Sequence, residues 1–114
     1  MNQATPLTTT ALAASQRLHA PFQASANVRT RIKICGLTRE EDVDAAVAGG
    51  ADAVGFVLYA PSPRAVTPQR AAQLARRLPP FVTPVLLFVN ESTPNVIAAS
   101  TMIAGATVQF HGDE

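Results

Sequence analysis

The chain holds no tryptophan, one tyrosine and one cysteine. A lone cysteine excludes an internal disulfide framework and fits a reducing compartment, so the cytoplasm is the expected location. Charge is scarce in both signs: Lys and Arg total 9, Asp and Glu 8, and the net is +1. That balance argues for neither a nucleic-acid nor a membrane-surface partner. No apolar run reaches the roughly 18 residues of a membrane span. No group of His, Cys, Asp and Glu has metal-ligand spacing. The Gly49-Gly50 pair lacks a surrounding G-x-G-x-x-G pattern, so it reads as a helix stop rather than a phosphate loop.

What remains is globular in composition: 114 residues, 47% hydrophobic and 15% charged, enough for one modest domain. Residues 1–30 differ from the rest. They are rich in Ala, Thr, Ser, Gln and Asn, and the first acidic residue of the chain is Glu40. Acid-poor, Arg- and Ser-containing sequence resembles a transit peptide. The arginines are few and form no amphipathic face, so a disordered, low-complexity extension is the expectation.

From Arg31 the pattern alternates between strand and helix. Arg31 to Cys35 reads as a β-branched strand. Thr38 and Glu41 read as a capping box opening a helix with Val43, Ala46 and Val47 on one face. Asp52 to Tyr59 is a near-continuous apolar strand, as in a parallel sheet covered by helices. Thr67-Pro68 opens a second helix, with Ala71, Leu74, Ala75 and Leu78 as its buried stripe and Pro79-Pro80 as its stop. Val85 to Val89 is a third strand with Pro84 at its start. Thr93-Pro94 repeats the helix-opening signal for a third helix ending near Gly105. Ala106 to Phe110 is a fourth strand.

The order is βαβαβαβ, which implies a parallel sheet. Both a doubly wound sheet and half of a (β/α)₈ barrel use it, and a whole barrel takes about 250 residues. Alternation along each strand puts Ile32 and Ile34 on one face, and Lys33 and Cys35 on the other. It also sets Gln109 and His111 opposite Val108 and Phe110. In a barrel, Lys33, Cys35, Gln109 and His111 would converge on one mouth.

Five segments carry a resemblance: KICGLT (33–38), GADAVGFVLY (50–59), SPR (62–64), FVNE (88–91) and VQFHGDE (108–114). In this order and spacing they resemble the phosphoribosylanthranilate isomerases, (β/α)₈ enzymes of tryptophan biosynthesis. The resemblance covers residues 31–114. It implies an α/β fold, the N-terminal half of a TIM barrel over 31–114, preceded by the extension over 1–30. It also implies an Amadori rearrangement of N-(5-phosphoribosyl)anthranilate, a small-molecule substrate, with no cofactor and no metal. Leu58 and Phe110 are mild departures from the commonest family residues.

By that resemblance Cys35 is the general base. A thiol reaches its anion near neutral pH, and Lys33 and the following helix N-terminus favour that anion. Otherwise Cys35 is an inert buried cysteine. Arg64 matches an arginine that contacts substrate, where a guanidinium suits the anthranilate carboxylate. Otherwise it is a solvated loop residue. Gln109 and His111 match positions lining the site, and His111 reads equally as a structural histidine. Asn90 is a weaker candidate of the same kind. The family's general acid, an aspartate on a later strand, and its phosphate loops match nothing here; Asp113 and Glu114 match its HGDE loop. The chain alone is therefore expected to be inactive. A half barrel also has two unpaired edges and an uncovered apolar inner face. It is thus expected to be a stretch of a full isomerase or, alternatively, a non-catalytic module that pairs with a second chain. The KICG start disfavours ribulose-phosphate epimerase and indole-glycerol-phosphate synthase, which share the frame.

Overall fold

In a computed structural model, residues 28–114 are described, so the expected extension lies, up to residue 27, outside the described residues. The elements run β1 (Lys33–Cys35), α1 (Glu40–Ala48), β2 (Ala53–Val57), α2 (Pro68–Ala75), β3 (Thr83–Phe88), α3 (Thr93–Thr101) and β4 (Thr107–Phe110). The strands form one sheet in the order β1-β2-β3-β4, and every neighbouring pair is parallel. A doubly wound sheet would reverse its order at a switch point. Sequential order without reversal is that of a barrel wall.

Register fixes what each face carries. Cys35, Gly55, Val85 and Thr107 lie on one cross-strand row. Because side chains alternate, Lys33, Cys35, Gly55, Val57, Val85, Leu87, Thr107 and Gln109 share the inner face. The opposite face carries Val54, Phe56, Leu86 and Phe88. These pack with Val43 of α1, Ala71 and Leu74 of α2, and Val96 and Ala99 of α3 to form the buried core. This cluster lies between sheet and helices; on the inner face Val57, Val85 and Leu87 are buried as well, so that apolar face is not the uncovered one expected. At the sheet edges the helix-facing Ile34 and Phe110 stay exposed.

Local chemistry explains where the helices begin. Thr67 caps α2 as expected: its Oγ1 accepts from the Arg70 N–H at 3.1 Å, and Pro68 stands in the first turn. The capping box expected at Thr38 does not form. The N-cap is Arg39, and no side chain caps α1. The acids of its first turn are instead drawn to arginines. Arg70 holds Glu40 through two bonds of 2.6 and 2.8 Å and also donates to the Thr38 carbonyl. Arg39 holds Asp42. Arg77, just past the end of α2, grips Asp44 at 2.6 and 2.8 Å, so two bidentate pairs tie α1 to α2 and the turn that follows it.

Helix α3 has Ser92 as its N-cap, one residue before the Thr93 expected. The Ser92 hydroxyl and N–H both turn to Glu91 Oε1 and cap nothing. Helix α2 stops at Ala75, ahead of Pro79-Pro80, and α3 stops at Thr101, ahead of Gly105. Strand β3 starts earlier than expected, at Thr83. Pro84, its second residue, is buried and pairs with Val54 of β2, one residue before the ladder to β4 begins at Val85.

Candidate active site

Cys35 is the last residue of β1, at the strand end where barrel chemistry is placed. It is half-buried, and its seat is made by a missing side chain. A Cβ on Gly55, its register partner, would sit 2.7 Å from Cys35 Sγ and 3.2 Å from its Cα. The glycine inside the apolar run of β2 thus leaves the volume that the thiol fills.

After Cys35 the chain turns at Gly36, whose φ is +80°. The N–H groups of Gly36 and Leu37 both donate to the Gly55 carbonyl, at 2.8 and 3.2 Å. The same glycine admits Arg64. A Cβ on Gly36 would lie 2.5 Å from Arg64 Nη1, so the guanidinium rests directly over the turn. Arg64 Nη1 makes a long hydrogen bond, 3.4 Å, to the Cys35 carbonyl. The loop that delivers it is ordered by Ser62, whose Oγ accepts from the Arg64 N–H at 3.1 Å. Among the described residues no carboxylate pairs with Arg64. Its cation is available to an anion at the β1 end.

On the far strand, Gln109 Oε1 accepts a hydrogen bond from Lys33 Nζ. This links β1 and β4, the two edges of the sheet, across its inner face. Lys33 and Gln109 share a face, as alternation predicted, and the bond between them goes beyond that expectation.

His111 follows β4, is exposed, and donates its N–H to the Phe88 carbonyl at 2.9 Å. That backbone bond ties His111 to β3. Beside it, the loops after β3 and β4 are fastened together. Asn90, at φ +51°, donates its N–H to Glu114 Oε1, and Asn90 Oδ1 accepts from the Asp113 N–H at 2.9 Å. Glu114 Oε2 accepts from the Gly112 N–H at 3.0 Å. These bonds, the one from Asn90 foremost, hold the Glu114 carboxyl below the usual range, and the charge of His111 adds to them. Glu114 is a loop fastener.

Cys35 and Arg64 are thus together at one strand end, Lys33 and Gln109 are bonded across the inner face, and His111 follows the end of β4. Three features escaped sequence reasoning: the Gly55 seat, the Lys33–Gln109 bond and the Glu114 fastening. Only the first left a signal, a glycine within a strand, which marks a close approach. Among the described residues no group of three His, Cys, Asp or Glu is placed to hold a metal. No described helix is long and apolar enough to cross a membrane.

Comparison with known proteins bears on the family and the fold. The sequence model of the family described as N-(5'phosphoribosyl)anthranilate (PRA) isomerase matches residues 32–114. The N-(5'-phosphoribosyl)anthranilate isomerase of Dechloromonas aromatica is 66% identical over 87 residues, which are 76% of this chain and 42% of that protein. That of Methylibium petroleiphilum is 68% identical over 87 residues, 76% of this chain and 41% of the relative. The chain therefore spans about two-fifths of the length of the curated relatives it matches. The crystal structure of the Thermotoga maritima phosphoribosyl anthranilate isomerase superposes with a TM-score of 0.73 at 43% identity, covering 75% of this chain and 42% of that one. A phosphoribosyl anthranilate isomerase in complex with reduced 1-(o-carboxyphenylamino)-1-deoxyribulose 5-phosphate superposes equally well, at 0.73 and 43%, over 75% of this chain and 44% of that one.

Proposed function

The chain belongs to the N-(5'-phosphoribosyl)anthranilate isomerase family, and on that premise we propose that it supplies the first half of such an isomerase. The substrate is N-(5-phosphoribosyl)anthranilate, and the product is the corresponding 1-(carboxyphenylamino)-1-deoxyribulose 5-phosphate. The reaction serves tryptophan synthesis in the cytoplasm, a location supported by the single unpaired cysteine.

The reaction moves hydrogen within one molecule. A general acid protonates the ribose ring oxygen, and the ring C–O bond breaks to leave an iminium. The Cys35 thiolate takes the proton from the adjacent carbon. That carbon's electron pair neutralises the iminium and gives an enolamine, which tautomerises to the ketone. A thiol suits the base role because its anion is accessible near neutral pH, where a hydroxyl's is not. Arg64 pairs with the anthranilate carboxylate in two-pronged fashion. Gln109 and His111 contact the substrate from β4 and the segment after it. The general acid and the phosphate grip belong to segments beyond the residues matched here.

One observation carries this reading. The Arg64 guanidinium lies over Gly36 and bonds the Cys35 carbonyl, so a free cation and a thiol share one rim. The bound product analogue in the related structure supports a small anionic substrate for this chain. The test uses a full-length isomerase in which residues 31–114 replace the matching segment of one of the relatives. Cys35→Ser there lowers kcat by about a thousand-fold and leaves the fold unchanged. Turnover near that of the unsubstituted protein would refute the assignment.

A further inference from the structure

We infer that Lys33 is a positioning residue that turns Gln109 into an obligate hydrogen-bond donor toward the sugar portion of the substrate. The inference rests on the function proposed above. A lysine ammonium has three donors and no acceptor, whereas a glutamine amide carries both. When Lys33 Nζ occupies Gln109 Oε1, the amide has one possible orientation. Its carbonyl faces the ammonium and its NH₂ is turned away. The oxygen-versus-nitrogen choice follows from Lys33 itself and not from the drawing of the amide.

The two residues reach each other across the whole sheet, from β1 to β4. Both lie on the inner face, by register with the row of Cys35, Gly55, Val85 and Thr107. Lys33 is two residues below Cys35 and Gln109 two residues above Thr107. Lys33 therefore rises from the floor while Gln109 reaches in from the rim. The half-buried Gln109 has its carbonyl engaged and two N–H donors left for a ligand. A fixed donor selects an acceptor, namely a ribose hydroxyl or carbonyl oxygen. It disfavours any group that needs to donate at that point. Holding the amide beforehand also removes the ordering cost of choosing one orientation on binding.

Three variants of the full-length protein described above test this. Gln109→Glu keeps an acceptor for Lys33, and so keeps the cross-sheet bond, but removes the donor. It raises KM about ten-fold or more, with kcat changed less than about three-fold. Lys33→Met frees the amide to rotate and raises KM by a smaller factor. Lys33→Arg, also a pure donor, restores KM toward that of the unsubstituted protein. Unchanged KM in Gln109→Glu would overturn the inference. So would a Lys33→Met protein with lowered Tm and unaltered KM and kcat, because the pair would then be merely structural.

Calorimetry with the reduced product analogue reads the same ratios without turnover. If the unsubstituted protein binds the analogue but does not turn substrate over, the proposed function fails while the Kd ratios still support the donor assignment. If it binds neither, both fail.

Discussion

Cys35 and Gly55 share one volume: the thiol sulfur lies 2.7 Å from where a side chain on Gly55 would begin. The candidate base is therefore seated by a gap on the neighbouring strand, and the seat can be tested apart from the chemistry of the sulfur. In the full-length protein, Gly55→Ala forces Cys35 or strand β1 to move, since backbone as well as sulfur lies in the way. The overpacking costs about 1–3 kcal/mol. Displacing the base lowers kcat roughly ten-fold or more beyond what stability explains. Denaturation and steady-state kinetics on the same variant separate the two effects. An alanine protein with unaltered kcat would show that Cys35 does not need this seat.

Arg64 reaches the β1 end through a turn built on Ser62. Arg64→Lys keeps the charge and loses the planar fork that suits a carboxylate. The expected result is a KM about ten-fold higher. An unchanged KM in that variant would place the carboxylate elsewhere.

The Glu40–Arg70 pair predicts how stability responds to acid. Arg70's hydrogen bonds, with a smaller share from the backbone N–H of Glu40, lower the Glu40 carboxyl from 4.5 to about 2. A carboxyl lowered in the folded state stabilises above its ordinary range and loses that contribution as pH falls toward the lowered value. Asp44, held by Arg77, is lowered too and acts in the same direction. Urea midpoints of the full-length protein and its Glu40→Gln variant therefore differ most near neutral pH. They converge between about pH 4.5 and about pH 2. A gap independent of pH would remove this pair as the cause.

Much of this was legible in the sequence, for identifiable reasons. The βαβαβαβ order followed from short apolar runs separated by helix starts, and Thr67-Pro68 capped α2 as written. Strand alternation put Lys33 and Gln109 on one face, and they are bonded. Helix starts at Thr38 and Thr93 were misread because local cap signals compete with other side-chain partners, some distant and some adjacent. Arg70 and Arg77 reach acids 30 and 33 positions away, and Glu91 takes the Ser92 hydroxyl. Alternation also could not say that Gln109's carbonyl is engaged by Lys33, a partner 76 residues distant. The loop after β4 showed the same limit. Glu114 reads in the sequence as one more acid, and only the approach of Asn90 and Gly112 makes it a fastener.

The central claim is that Cys35 and Arg64 belong to one ligand site. The most direct test is the rate at which iodoacetamide alkylates Cys35 in the full-length protein, read by mass spectrometry on the peptide of residues 34–39. It is measured with and without the reduced product analogue. The account predicts that the analogue slows alkylation in proportion to its occupancy, and that Arg64→Ala shifts this protection to higher analogue concentrations. An alkylation rate that saturating analogue leaves unchanged would contradict it.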